Sequence, residues 1–128
     1  MNLFIDEDTG PSIGRALRSV GFHTVDWIGK SRPVPSGTHD EVWLPYAGER
    51  GFLVLSCNFR MLQNERERQA IRDHSVGIIF LPGTASRLEV LRLIMRRWDW
   101  LQQIDIEVPR PFAYRITASN RLSRLSID

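Results

Sequence analysis

Cysteine occurs once in this chain, at Cys57, and lysine once, at Lys30. A single thiol excludes an intrachain disulfide and a thiolate metal cluster, and makes a reducing compartment, the cytoplasm, the simplest expectation. Lys30 is the only lysine among 17 basic residues. Arginine supplies the rest and suits bidentate phosphate contacts, although a GC-rich coding bias gives the same excess. No apolar run approaches the roughly 18 residues needed to span a bilayer. Met1–Leu3 lacks the basic start and long apolar run of a signal peptide, so neither secretion nor membrane insertion is expected. Repeats and low-complexity tracts are missing. Gly48–Gly51 has neither the spacing nor the lysine of a phosphate-binding loop. His23, His39 and His74 are too scattered to form a compact ligand motif.

What remains is a chain of 128 residues, enough for one domain and one core. Its 42% apolar and 25% charged residues are those of a soluble globular domain. The formal charge of +2 is unevenly spread. The first eight residues carry Asp6, Glu7 and Asp8 and no base, whereas Arg96, Arg97, Arg110, Arg115, Arg121 and Arg124 crowd the last third. This asymmetry permits a phosphate-rich partner lying across an acidic site; scattered arginines also serve simply as solvated surface.

Apolar patterning predicts alternating strands and helices. Met1–Ile5 reads as a strand running into acid. Pro11 opens a helix through Ile13, Leu17 and Val20 that ends at Gly21, and Phe22–Trp27 is a short strand. Gly29–Thr38 is a loop. Thr38 or Asp40 caps a second helix carrying Val42, Trp43, Tyr46 and Ala47. Phe52–Leu55 and Val76–Leu81 are buried strands separated by a charged helix over Asn64–His74. Ser86, with Glu89 three residues on, opens a helix with Leu88, Val90, Leu91, Ile94 and Met95 on its apolar face, extended through Trp98, Trp100, Leu101 and Ile104. Phe112–Ile116 is the last strand, followed by a basic tail over 117–128. The order implies one three-layer α/β/α domain with a mostly parallel sheet, its spatial strand order left open.

In such a sheet the strand exits share one edge. Asp6 and Asp8 follow the first strand, Asp40 and Glu41 start the second helix, and Asn58 follows the third strand. Carboxylate and amide oxygens suit a hard cation such as Mg²⁺ or Mn²⁺, which can activate water against a phosphodiester. Each residue also has an ordinary reading: Asp8 caps a helix as readily as it faces a metal, Asp40 and Glu41 are natural helix-start acids, and Asn58 is a common turn residue. The tryptophans Trp27, Trp43, Trp98 and Trp100 fit core or interface packing better than base stacking.

The stretches FIDEDTGPSIGRALRSVGFHTV, HDEVWLPYAGERGFLVLSCNFRML, NERERQAIRDHSVGIIFLPG and PFAYRITASNRLSRL resemble a PIN-like family, close to VapC45-type toxins. The resemblance covers nearly the whole chain. It implies metal-dependent RNA cleavage, a toxin role with a neighbouring antitoxin as protein partner, and relatives among which a homodimer is compatible. The family's first acidic pattern falls on Asp6, with Asp8 adjoining, and its D-E-x-W block on Asp40, Glu41 and Trp43. Its T-x-D-x-x strand exit falls on Ser56-Cys57-Asn58-Phe59-Arg60. The hydroxyl is kept at Ser56; the carboxylate is replaced at Asn58, which keeps an oxygen but is a poor general base. Arg60, Arg66 and Arg68 become the candidate RNA contacts. Loss of the charge at Asn58 leaves a weak nuclease, compensation by Asp8, or binding without cleavage as open outcomes.

Overall fold

A computed structural model describes residues 1–128. Six strands form one sheet in the order β2-β1-β3-β4-β5-β6: β1 Leu3–Ile5, β2 Val25–Trp27, β3 Leu53–Ser56, β4 Gly77–Phe80, β5 Phe112–Ile116 and β6 Leu122–Leu125. The first five run parallel, and β6 runs antiparallel to β5. The mixed α/β, mostly parallel architecture is the one expected from the alternation of short apolar strands with helices.

Side-chain alternation divides the core into two layers. Leu3 and Ile5 of β1 pack with α1 (Pro11–Ser19), α4 (Arg87–Arg96) and α5 (Trp98–Glu107). Phe4 faces the other way, against α2 (Asp40–Glu49) and α3 (Glu65–Asp73). The same alternation continues past the strand ends. Asp6 follows Phe4, and Ser56 follows Val54, so both belong to the face covered by α2 and α3. Because Ile5 pairs with Leu55, the next residues along the two neighbouring strands are Asp6 and Ser56.

From β1 the chain goes outward to β2 and then returns across β1 to β3. The carboxyl ends of β1 and β3 therefore flank the point where strand order reverses, the usual binding crevice of an open parallel sheet.

Several expectations change in detail. The helix opened by Ser86 is two helices, α4 and α5, which meet at Arg97. Its start is as expected: Ser86 Oγ accepts the Glu89 N–H at 3.2 Å. Leu88 and Met95, expected on its apolar face, are exposed, and Leu93 takes a buried place beside Val90 and Ile94. Val20 and Val42 are likewise exposed, because each lies on the solvent side of a helix end. Residue 39, not Thr38 or Asp40, occupies the N-cap of α2, with no side-chain cap bond. Phe59–Gln63 forms a 3-10 turn before Asn64, whose side chain caps α3 by accepting the Glu67 N–H. Within 117–128, expected only as a basic tail, β6 pairs with β5, so Phe112–Ile116 is an interior strand. No helix is long and apolar enough to cross a membrane.

Candidate functional site

The β1 exit is built around one buried carboxylate. Asp6 is 2% exposed. Its Oδ1 accepts the Thr9 N–H at 3.0 Å and the Thr9 hydroxyl at 2.6 Å, and its Oδ2 accepts the Ser56 hydroxyl at 2.5 Å. Those hydroxyls are oriented by the backbone beyond β3: the Cys57 N–H donates to Thr9 Oγ1, and the Asn58 N–H donates to Ser56 Oγ, each at 3.0 Å. With acceptor positions filled in this way, both hydroxyl protons turn toward Asp6. Burial nevertheless pushes the Asp6 carboxyl up to about 6; the bonds from Ser56 and Thr9 pull against that rise, and the charge of Asp8 adds to it. Burial also pushes the Cys57 thiol up, which makes it an inert wall residue of the β3 exit.

The next two residues open onto different cavities. Glu7 lines an acidic one of about 590 Å³, with Asp40 and Glu41 at the start of α2 and Glu67 in the first turn of α3. Glu7 also accepts the Gly37 N–H at 2.9 Å, tying the β1 exit to the Gly29–Thr38 loop. Trp43 is buried, and its indole N–H donates to Asp40 Oδ1 at 2.9 Å, fixing that carboxylate from below. Glu67 stands next to Asp40, close enough for a hydrogen bond between the two carboxyls when one of them is protonated. Its carboxyl is pushed up to about 7, first by burial, then by that bond and by the charges of Asp40 and Glu41. Glu67 therefore keeps its proton to a higher pH than a free carboxyl does.

Asp8 lines the second cavity, of about 620 Å³, with Asn58, Arg60 and Thr84 and two cations from later in the chain, Arg87 and Arg115. A Cβ on Gly83 would stand 2.9 Å from the Cys57 carbonyl oxygen, so only glycine lets the β4 exit pass this close to the β3 exit and close the cavity floor.

The expected site residues are thus distributed rather than gathered around one point. Asp40 and Glu41 come together, Asp8, Asn58 and Arg60 come together elsewhere, and Asp6 is buried at the strand exit between Ile5 and Glu7. Arg66 is exposed on α3. Arg68 is committed within the protein, to the Leu62 carbonyl at 2.9 Å and to Glu65. Sequence reasoning missed Glu67, Thr9, Arg87 and Thr84. Glu67 had a signal, an acid in the first turn of a helix beginning at the same sheet edge. Thr9 had none, because nothing in the sequence distinguishes it from a turn residue. The tryptophans pack as expected: Trp43 stacks on Phe4, Trp98 meets Phe22 edge-on and Trp100 meets Tyr114 edge-on, while Trp27 lies beneath Arg18 and Arg32.

A family model described as a PIN-like domain matches residues 1–83, well over half of the 128. The chain belongs to the PIN-like domain family. The matched part runs from β1 to just beyond β4 and includes Asp6, Asp40, Glu41, Asn58 and Glu67. Comparisons with curated proteins and with solved structures return no match. PIN-like membership points to a nuclease-type function, and PIN domains generally depend on a divalent metal.

The donor set of this PIN-like domain bears on that metal. No group of three or more His, Cys, Asp or Glu side chains is drawn together as a metal cage. Asp6, Asp8, Asp40, Glu41 and Asn58 do not line one cavity: Asp40 and Glu41 line one, Asp8 and Asn58 the other, and Asp6 is buried at the β1 exit. Asp40 and Glu67, however, are neighbouring hard-oxygen donors lining one cavity, and a cation there would displace the proton that Glu67 holds. Mg²⁺ keeps several waters and is commonly held by only one or two carboxylates together with substrate phosphates. The pair fits such a water-rich ion.

Proposed function

We propose that this PIN-like domain is a Mg²⁺- or Mn²⁺-dependent endoribonuclease of the VapC45-type toxin class, acting in the cytoplasm and held in check by a cognate antitoxin. The observation that carries this reading is the gathering of Glu7, Asp40, Glu41 and Glu67 around one cavity at the carboxyl edge of the sheet, beside the exit of β1. The resemblance of the chain to the toxin class over nearly its full length supports the biological role.

Asp40 and Glu67 would hold the ion, with Glu41 and Glu7 as nearby acceptors for its waters. When bound, such a cation neutralises charge developing on a phosphodiester and makes water more acidic. Trp43 keeps Asp40 in place through its indole N–H. An ionised carboxylate of this cavity would take up the proton of a water attacking in line at phosphorus as the P–O3′ bond breaks, and the leaving 3′-oxygen would take a proton from solvent, giving 5′-phosphate and 3′-hydroxyl ends. Asp6 acts as a positioning residue, because Thr9 and Ser56 already occupy both its oxygens. Asn58 can bond a phosphate oxygen through its amide but cannot take a proton. Arg60 and Arg66 remain for the RNA backbone.

Incubating the purified chain with an RNA panel in Mg²⁺, Mn²⁺ or EDTA tests the chemistry. Inducing the gene alone and with its neighbour tests the toxin role: growth arrest relieved by a co-purifying neighbour supports it, and unaffected growth removes it.

The buried, hydrogen-bonded state of Asp6 and the uncharged Asn58 favour a second reading, a PIN-like module that binds RNA or protein without cutting. Calorimetric titration with Mn²⁺ separates the two. Cation binding that is lost in Glu67→Gln supports the enzyme, and no binding in the millimolar range supports the module.

A further inference from the structure

The carboxylate pair leaves the second cavity unexplained. Arg60, Arg87 and Arg115 line it, and Asp8 is the only acid there. None of these arginines is in an ion pair; the ion pairs of the molecule use Arg32, Arg68, Arg72 and Arg110. All three are exposed. Two of them also rest against the fold. The Arg87 guanidinium lies over Gly10, where a Cβ would stand 2.9 Å from Nε, and Gly10 adopts φ +97. The Arg115 guanidinium lies 4.2 Å from the centre of the Phe59 ring, which in turn meets Phe80 edge-on. A guanidinium that already rests against such a neighbour loses less freedom on binding than one that extends freely into solvent. Asn58 matters here as well. A carboxylate at that position would add a second negative charge to the cavity, whereas the amide leaves three cations facing one acid. Arg87 and Arg115 lie beyond the matched residues 1–83, so family membership gives them no role.

We propose that this cavity is a phosphate subsite for single-stranded RNA, in which Arg87 and Arg115, with Arg60, grip the backbone of a strand whose neighbouring segment reaches Asp40 and Glu67. Thr84 and Asn58 offer hydrogen bonds to the same phosphate. The naming of RNA as the ligand rests on the nuclease reading; the convergence of unpaired arginines does not. The loss of the acid at Asn58 thereby becomes a gain for anion binding.

The test is binding of a labelled oligoribonucleotide to the full chain in EDTA, read by anisotropy across a salt series, so that affinity is measured without cleavage. Arg87→Ala and Arg115→Ala are each expected to weaken binding about tenfold. Each should also reduce the slope of log affinity against log salt by about 0.7, the value for one phosphate contact on a single strand. Asn58→Asp should weaken binding in the same direction. Arg92→Ala, at an exposed arginine outside this cavity, should leave both quantities unchanged. Arg115→Lys guards against a folding artefact: it keeps the charge and should retain the salt slope. Parent-like binding by both alanine variants overturns the proposal, as does an equal loss in Arg92→Ala. Displacement of the oligonucleotide by an equal concentration of inorganic phosphate also overturns it, because the cavity would then take the free ion. Binding without cleavage in Mn²⁺ would count against the nuclease reading alone, and cleavage with arginine-independent binding would count against the subsite alone.

Discussion

Ser56 Oγ lies 2.5 Å from Asp6 Oδ2, joining the exits of two neighbouring parallel strands through a hydroxyl that itself accepts the Asn58 N–H. This bond makes the β1 exit rigid, and the Thr9 hydroxyl repeats the arrangement on the other carboxylate oxygen. Removing either hydroxyl takes a hydrogen bond from the buried Asp6 carboxylate and leaves a half-buried backbone N–H without its acceptor. Ser56→Ala and Thr9→Val should each cost about 1–3 kcal/mol, measured by urea unfolding, and should raise the Asp6 carboxyl further above its ordinary range.

The raised Asp6 carboxyl gives stability a definite pH slope. Its native value of about 6 lies above the ordinary value of 3.8, so between those pH values the native state holds more of this proton than the unfolded chain does. Stability from this group is complete below about pH 4 and is lost as pH rises through about 6. The shift corresponds to roughly 3 kcal/mol at pH 7. Asp6→Asn, which has no carboxyl to ionise, should lose this falling slope in unfolding experiments at pH 4 to 8, while cleavage also falls as the strand exit loses its positioning bonds.

The Asp40–Glu67 pair predicts a pH dependence of the opposite sense for cation binding. Glu67 keeps its proton up to about pH 7, and a cation must displace it. Mn²⁺ affinity should therefore rise from pH 6 to 8 with proton release on binding. In Glu67→Gln both the affinity and the proton release should fall, as read by calorimetry in buffers of different ionisation heat.

Gly83 tests the join between the β3 and β4 exits. In Gly83→Ala the new Cβ meets a backbone oxygen, Cys57 O, at 2.9 Å, so the loop must shift. A loss of about 1–3 kcal/mol is expected, together with weaker oligonucleotide binding in EDTA, because the floor of the basic cavity moves.

Much of the fold was legible because strands such as Phe52–Leu55, opened by Gly51, and Val76–Leu81, stopped by Pro82-Gly83, are short, largely apolar runs. The break between α4 and α5 was not legible, since Leu91, Trp98 and Leu101 continue an apolar pattern across Arg97 without a proline or glycine. Nor was β6 legible: LSRL is half polar, and its place depends on pairing with β5, a contact no local pattern encodes. At the candidate site, strand and helix ends put Asp6, Asp40 and Glu41 at one edge of the sheet. The direction each side chain takes was beyond the sequence. Asp6 turns inward to two hydroxyls, whereas Glu7 and Asp8, adjacent in the chain, open onto separate cavities of contrasting charge. Glu67 and Arg87 reach those cavities from helices whose own sequences look like ordinary charged surface.

The most direct measurement is RNA cleavage by the purified chain in Mn²⁺ and in EDTA, for the parent and for Glu67→Gln, with both product ends mapped. The account predicts Mn²⁺-dependent internal cuts with 5′-phosphate and 3′-hydroxyl ends, reduced by about a hundredfold or more in Glu67→Gln. Cleavage that persists in EDTA or is unchanged in Glu67→Gln would contradict it, and so would an inactive parent that gains cleavage only as Asn58→Asp.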